Sequence, residues 1–206
     1  MRSLHLLGLL HLGVLVFVGG VDWIRSEPAP VPAAGGGAII ADTGNQWFSQ
    51  IKPYCNPVEA AVMIGRNPPP QDDEGPGFAA ACFALAGKIE QADAQLFALP
   101  NAAERHRAAG IVFKVGHPVA DAGDDDAAGP IMRLVVKYQP NNFMALYHAG
   151  IAEFNMGDSR LAKGHLQRFL ELYERDDTWR KNGLSVLAKI EKRDRTPVFS
   201  GHGEIQ

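Results

Sequence analysis

The chain has 206 residues, with 20 Lys and Arg against 23 Asp and Glu and a formal net charge of −3, and is long enough for one domain with its own core. That balance offers no basic face of the kind a phosphate-binding domain depends on, so nucleic acid is not an expected partner. Hydrophobic residues make up 46% and charged residues 21%, and the 22 Gly and 14 Pro gather outside the helix-like stretches, where they mark linkers and loops.

From Leu4 to Val21 the chain is almost wholly apolar, with no charge before Asp22. A run of about 18 to 20 apolar residues crosses the core of a bilayer, so residues 1–24 predict a transmembrane anchor with Trp23 at the interface. Arg2 and the amino terminus precede the run, while Asp22, Arg25 and Glu27 follow it. The positive-inside rule then puts the N-terminus in the cytoplasm and the remainder outside, as in a bacterial periplasm. A cleaved signal peptide is the alternative, although the small residues around Val31, Ala33 and Ala34 lie well past the apolar run. Both readings leave the soluble part outside the cytoplasm. His5 and His11 lie within the run, where ionisable groups invite a pigment or metal hypothesis. Their offset places them on different helix faces, so one shared site is not expected.

Residues 25–44 read as a tether, with Pro28, Pro30, Pro32 and the run Gly35-Gly36-Gly37; such a segment buries no core. Over residues 45–192 apolar positions recur at three- and four-residue spacing, the signal of helices. Asn56-Pro57-Val58-Glu59 combines a capping Asn, Pro at the first helical position and Glu at the third, which together start a helix. Asn101 with Glu104 repeats the device. Asp176 and Asp177 cap a closing helix from Thr178 to Glu191, with Leu184, Leu187 and Ile190 on one face. Trp47 to Arg66 closes the other end, and residues 193–206, with Pro197, Gly201 and Gly203, read as a flexible tail.

The clearest segment is Phe143 to Tyr173. Leu146, Ala149, Gly150 and Phe154 precede a Gly157-Asp158 turn, and Ala162, Leu166 and Phe169 follow it. This order resembles the tetratricopeptide repeat, a pair of antiparallel helices about 34 residues long. Gly150 and Ala162 are small where the two helices cross closely, and Leu166 and Phe169 fill the space beside them. Glu153 stands where that family has Tyr. Counting back, Ala109, Gly110 and Phe113 supply the first helix of a preceding unit and Ala128, Met132 and Val135 its second. A turn enlarged by six residues, His117 to Asp126, separates them. A weaker unit runs from Phe78 to Ala86, turns at Gly87, and continues through Ala92 and Leu96 to Pro100. The expected fold is therefore all-α: a short solenoid of tetratricopeptide-like hairpins after one membrane helix.

The enlarged turn carries His117, Asp121, Asp124, Asp125 and Asp126. An oxygen-rich calcium site is one reading, but the acidic residues do not alternate as in a helix-loop-helix calcium loop. A surface loop that caps the next helix is the expectation. His148 and His165 fall on repeat helices, 17 residues apart; a metal pair is one reading, and plain surface or satisfied core residues are the expectation. No phosphate-binding glycine motif, i, i+4 histidine pair or nucleophile elbow is present in the sequence, so neither an enzyme, a cofactor nor a metal is expected. Cys55 and Cys82 would pair as a disulfide outside the cytoplasm, contributing on the order of 3 kcal/mol by closing a long loop. Two buried thiols are the alternative, since Cys82 sits among alanines.

The resemblance implies a concave groove lined by first helices that receives a protein segment. It would be formed by Arg107, Ile111 and Lys114 from one unit and Tyr147, Ile151, Phe154 and Asn155 from the next. The leading expectation is an extracytoplasmic, membrane-anchored scaffold that binds partner proteins to assemble or steady a membrane complex. A permanent accessory subunit of a respiratory or photosynthetic assembly is the alternative, and a metal- or pigment-binding protein a third.

Overall fold

The structure, a computed structural model, describes residues 43–195. The anchor, nearly all of the tether and most of the tail lie outside the described residues. Within them the chain is all-α, without strands. Its helices are α1 (Gly44–Ile51), α2 (Ala60–Arg66), α3 (Gly75–Leu85), α4 (Ile89–Phe97), α5 (Ala102–Asp121), α6 (Asp125–Tyr138), α7 (Phe143–Asn155), α8 (Ser159–Leu172) and α9 (Thr178–Arg195), with a 3₁₀ turn at Lys52–Tyr54. No helix among the described residues is long and apolar enough to cross a membrane.

Helix starts follow the side chains that satisfy free amides. Asn101 Oδ1 accepts from the Glu104 amide at 3.0 Å and its Nδ2 donates to Glu104 Oε1 at 2.7 Å. Asp177 Oδ1 accepts from the amides of Trp179 and Arg180 at 3.0 and 3.3 Å. Asn56 and Glu59 pair in the same manner, although regular helix begins only at Ala60. Asp72 joins two elements: one carboxylate oxygen accepts from Gly44 at the start of α1, and the other from Gly75 at the start of α3.

Helix ends recur in one form. Gly87, Gly123 and Gly157 take φ of 69°, 79° and 89°, the left-handed region that glycine enters without strain. In each case the following amide reaches back five residues: Lys88 to Phe83, Asp124 to Val119, and Asp158 to Glu153. This glycine turn ends α3, α5 and α7 and returns the chain as α4, α6 and α8.

Consecutive helices pack on one another from α5 to α9, and α3 packs on both α4 and α5. Gly150 is a close approach, because an added Cβ would stand 2.7 Å from Leu166 Cγ and 3.3 Å from the Ala162 carbonyl oxygen. Ala109, Ala128, Met132, Val135, Ala162, Leu166 and Phe169 are all fully buried, as their spacing predicts. One apolar cluster runs from Trp47 to Ala149 and a second links Leu146 and Tyr147 to Phe169, Leu187 and Ile190. Trp47, 1% exposed, donates from its indole to the Asn67 carbonyl at 2.9 Å. Cys55 and Cys82 stand at disulfide distance, S–S 2.07 Å, tying the N-terminal segment to α3.

One expectation is corrected here. His117 to Asp126 is not an enlarged loop: α5 continues through Pro118 to Asp121, and only Ala122, Gly123 and Asp124 turn. Proline lacks the amide that would bond four residues back, yet its fixed φ suits a helix. The terminating device is Gly123, not Pro118. The residues expected to enlarge the turn therefore extend a helix, as far as Asp121.

Two outcomes follow. Replacing both cysteines by Ala should lower the unfolding free energy by on the order of 3 kcal/mol, read from urea denaturation against the oxidised parent. Gly150→Val should cost about 1–3 kcal/mol through overpacking; an unchanged denaturation midpoint would contradict the close α7–α8 crossing.

Candidate functional site

The seven groove residues do not share one surface. On α5, Arg107 and Lys114 are exposed, and Arg107 lines a small cleft with Asp72, Asp73 and Glu104. Ile111 is half-buried; its side chain occupies the space a Cβ on Gly77 would need, 2.6 Å from Cδ1. On α7, Tyr147 is 5% exposed, with its hydroxyl 2.5 Å from Asn182 Nδ2 and its ring edge-on to Trp179. Tyr147 is therefore core, not groove, because the closing helix α9 lies over it. Ile151 and Phe154 are half-buried in the same cluster, with the Arg193 guanidinium 4.8 Å from the Phe154 ring centre. Asn155 is exposed and donates to the Asp125 carboxylate.

An open cleft elsewhere on the described residues is lined by none of the seven. It has a volume of about 690 Å³, between His106 and Phe113 of α5, the Gln139–Asn142 turn, and Phe143 and Met144 of α7. Its wall is fixed by hydrogen bonds. Gln139 Nε2 donates to the His106 carbonyl at 2.7 Å, Asn142 Nδ2 donates to Gln139 Oε1 at 2.8 Å, and Asn142 Oδ1 accepts from the Ala145 amide. Phe143 is 40% exposed at the edge of the cleft. A second cleft of about 400 Å³, reaching Tyr173, Glu174 and Arg175, shares Phe143 and Met144 with the first.

A polar cluster lies further along the same two helices. His117 and Asp121, one turn apart on α5, meet His148 from α7. Asp121 Oδ2 is 3.6 Å from His117 Nδ1, and Asp121 Oδ1 is 3.5 Å from His148 Nε2. His148 is 5% exposed. The Nε2 atoms of His117 and His148 are both buried and neither makes a hydrogen bond, a state that costs about 1–3 kcal/mol per group. Burial, with His117 adding to it, lowers the His148 pKa to about 4, against the opposing pull of Asp121 and Asp125. Asp124, Asp125 and Asp126 do not converge on a calcium site. Asp124 caps α6 through the Ala127 amide, and Asp125 meets Asn155.

Glu153, fully buried, forms a second polar contact between helices. His165 Nδ1 of α8 stands 2.7 Å from its Oε2, and Arg133 of α6 is 3.9 Å from its Oε1. The residue that departs from the tetratricopeptide pattern is thus a polar link joining three consecutive helices. Two features escaped the sequence reading. Phe113 and Phe143 were landmarks of helices, not of a cleft. His117 and His148 are 31 residues apart, and only a continuous α5 brings them together; the i, i+4 spacing of His117 and Asp121 was the available signal.

No protein-family model matches the chain, and no curated protein matches it at a significant level.

The buried His148 sets an acid limit. Its pKa falls from 6.5 to about 4 on folding, so the unfolded chain binds the proton more readily and stability rises with pH across that interval. The contribution is complete above pH 6.5 and lost as pH falls towards 4, at up to about 3 kcal/mol. Denaturant midpoints in metal-free buffer should drop over this window in the parent and less so in His148→Gln.

Proposed function

We propose that this chain is a membrane-anchored, extracytoplasmic helical scaffold, built on tetratricopeptide-like hairpins, that holds a protein partner within a membrane complex. The observation that carries the reading is the open apolar cleft of about 690 Å³ at Phe113, Phe143 and Met144. A concave, mainly apolar surface with a few polar groups at its rim suits a peptide segment of a partner. His106, Gln139 and Asn141 supply that rim.

Three further observations agree with it. The left-handed glycines fall at positions 87, 123 and 157, spacings of 36 and 34 residues, close to the tetratricopeptide period of about 34. The Cys55–Cys82 pair suits an oxidising compartment. The apolar run from Leu4 to Val21 suits an anchor that keeps the scaffold at the membrane. The partner site moves from the face of Tyr147 to the edge where α5 approaches the start of α7.

A photo-crosslinking residue placed at Met144 of the full-length chain in native membranes should give one discrete protein adduct. The same residue at exposed Glu171 should give none, and Phe143→Asp should abolish the Met144 adduct. Equal labelling from both positions, or no adduct at Met144, would sink the scaffold reading.

A further inference from the structure

We propose that His117, Asp121 and His148 form a binding site for one divalent cation of the zinc class, which would fasten α5 to α7. The inference goes beyond the scaffold reading and does not rest on it.

The donor set is the first argument. Two imidazoles and one carboxylate match the borderline preference of zinc-like ions, whereas calcium takes oxygen donors alone. Geometry is the second. Ligand atoms each about 2.1 Å from a tetrahedral ion stand roughly 3.4 Å apart. Asp121 oxygens lie 3.6 Å from His117 Nδ1 and 3.5 Å from His148 Nε2, and one ligand atom from each of the three residues falls within 4.8 Å of the others. Small side-chain rotations close the remaining gap.

The third argument comes from hydrogen bonding. His148 is 5% exposed and its Nε2, buried and unbonded, points towards Asp121. A metal ion accepts the lone pair that no protein donor meets.

The surroundings suit a dication. The rings of Phe113, Tyr147 and Trp179 lie 4.8 Å, 5.2 Å and 5.6 Å from the nearer imidazole and give the inner side an apolar lining. The Asp121 side chain is 46% exposed and leaves an approach from solvent. Three protein ligands leave a fourth position for water. The direct contact of α5 with α7 is slight beside those of α5 with α6 and α6 with α7, so a bond through the ion would add a link where the fold has little.

The test uses the full-length chain, stripped with a chelator and titrated with ZnCl₂ against a chromophoric competitor. One zinc per chain is expected, with a rise in the thermal midpoint. His148→Gln and Asp121→Asn should each weaken binding at least about tenfold, while His106→Gln and His165→Gln should leave it unchanged. Should His148→Gln fail to fold by circular dichroism, the partly exposed His117→Gln and Asp121→Asn carry the same test. Absence of saturable binding in the parent, or zinc retained by the triple variant of all three residues, would overturn the proposal.

Discussion

Three times along the chain a helix ends on a glycine at positive φ, and the next helix folds back over the last. Gly87, Gly123 and Gly157 share the same return bond, made by the next amide to the carbonyl five residues before it, so each hairpin opens with the same geometry. Where the paired helices approach most closely, side chains shrink. Gly150 against Leu166 and Ala162 is the clearest case, and Gly116 against Ile131 repeats it at 2.6 Å from Cγ2. Amphipathic helices that cannot bury their apolar faces alone must stack on neighbours. The hairpins of this chain do so from α3 to α8, capped by α1 and α2 at one end and by α9 at the other.

The caps are not neutral covers. Trp47 and the Cys55–Cys82 link bind the N-terminal segment to α3. At the far end α9 seats Trp179, Asn182 and Ile190 against α7 and α8, and so removes Tyr147 from any docking surface. What stays open is the edge between α5 and α7, with the apolar cleft at one end and the histidine cluster further along. Both surfaces are formed by the same pair of helices, so occupation of either would steady the spacing between them.

Much of the fold was legible because its signals are local. The Asn101–Glu104 cap, the Asp177 cap, the Gly87 and Gly157 turns and the small residues at 150 and 162 each act within a few residues of chain or at one crossing. The misreading of residues 117–126 had a local cause too: Pro118 and a run of aspartates resemble a loop until Gly123 is recognised as the helix terminator. The candidate sites were less legible because they depend on distance in space. Tyr147 reads as a groove residue from the tetratricopeptide resemblance of its helix, and the path of α9 buries it. His148 reads as an ordinary helix residue, and only an α5 of 20 residues brings His117 and Asp121 to it.

Hydrogen exchange on the full-length chain, compared between the purified protein and the chain extracted in mild detergent from native membranes together with whatever it holds, tests the scaffold proposal most directly. Amides of residues 139–144, at the rim of the cleft, should gain protection in the complex, while those of the α8–α9 turn, residues 173–177, remain as they are. Identical exchange in both states, or protection confined to residues away from the cleft, would contradict a partner held at this edge.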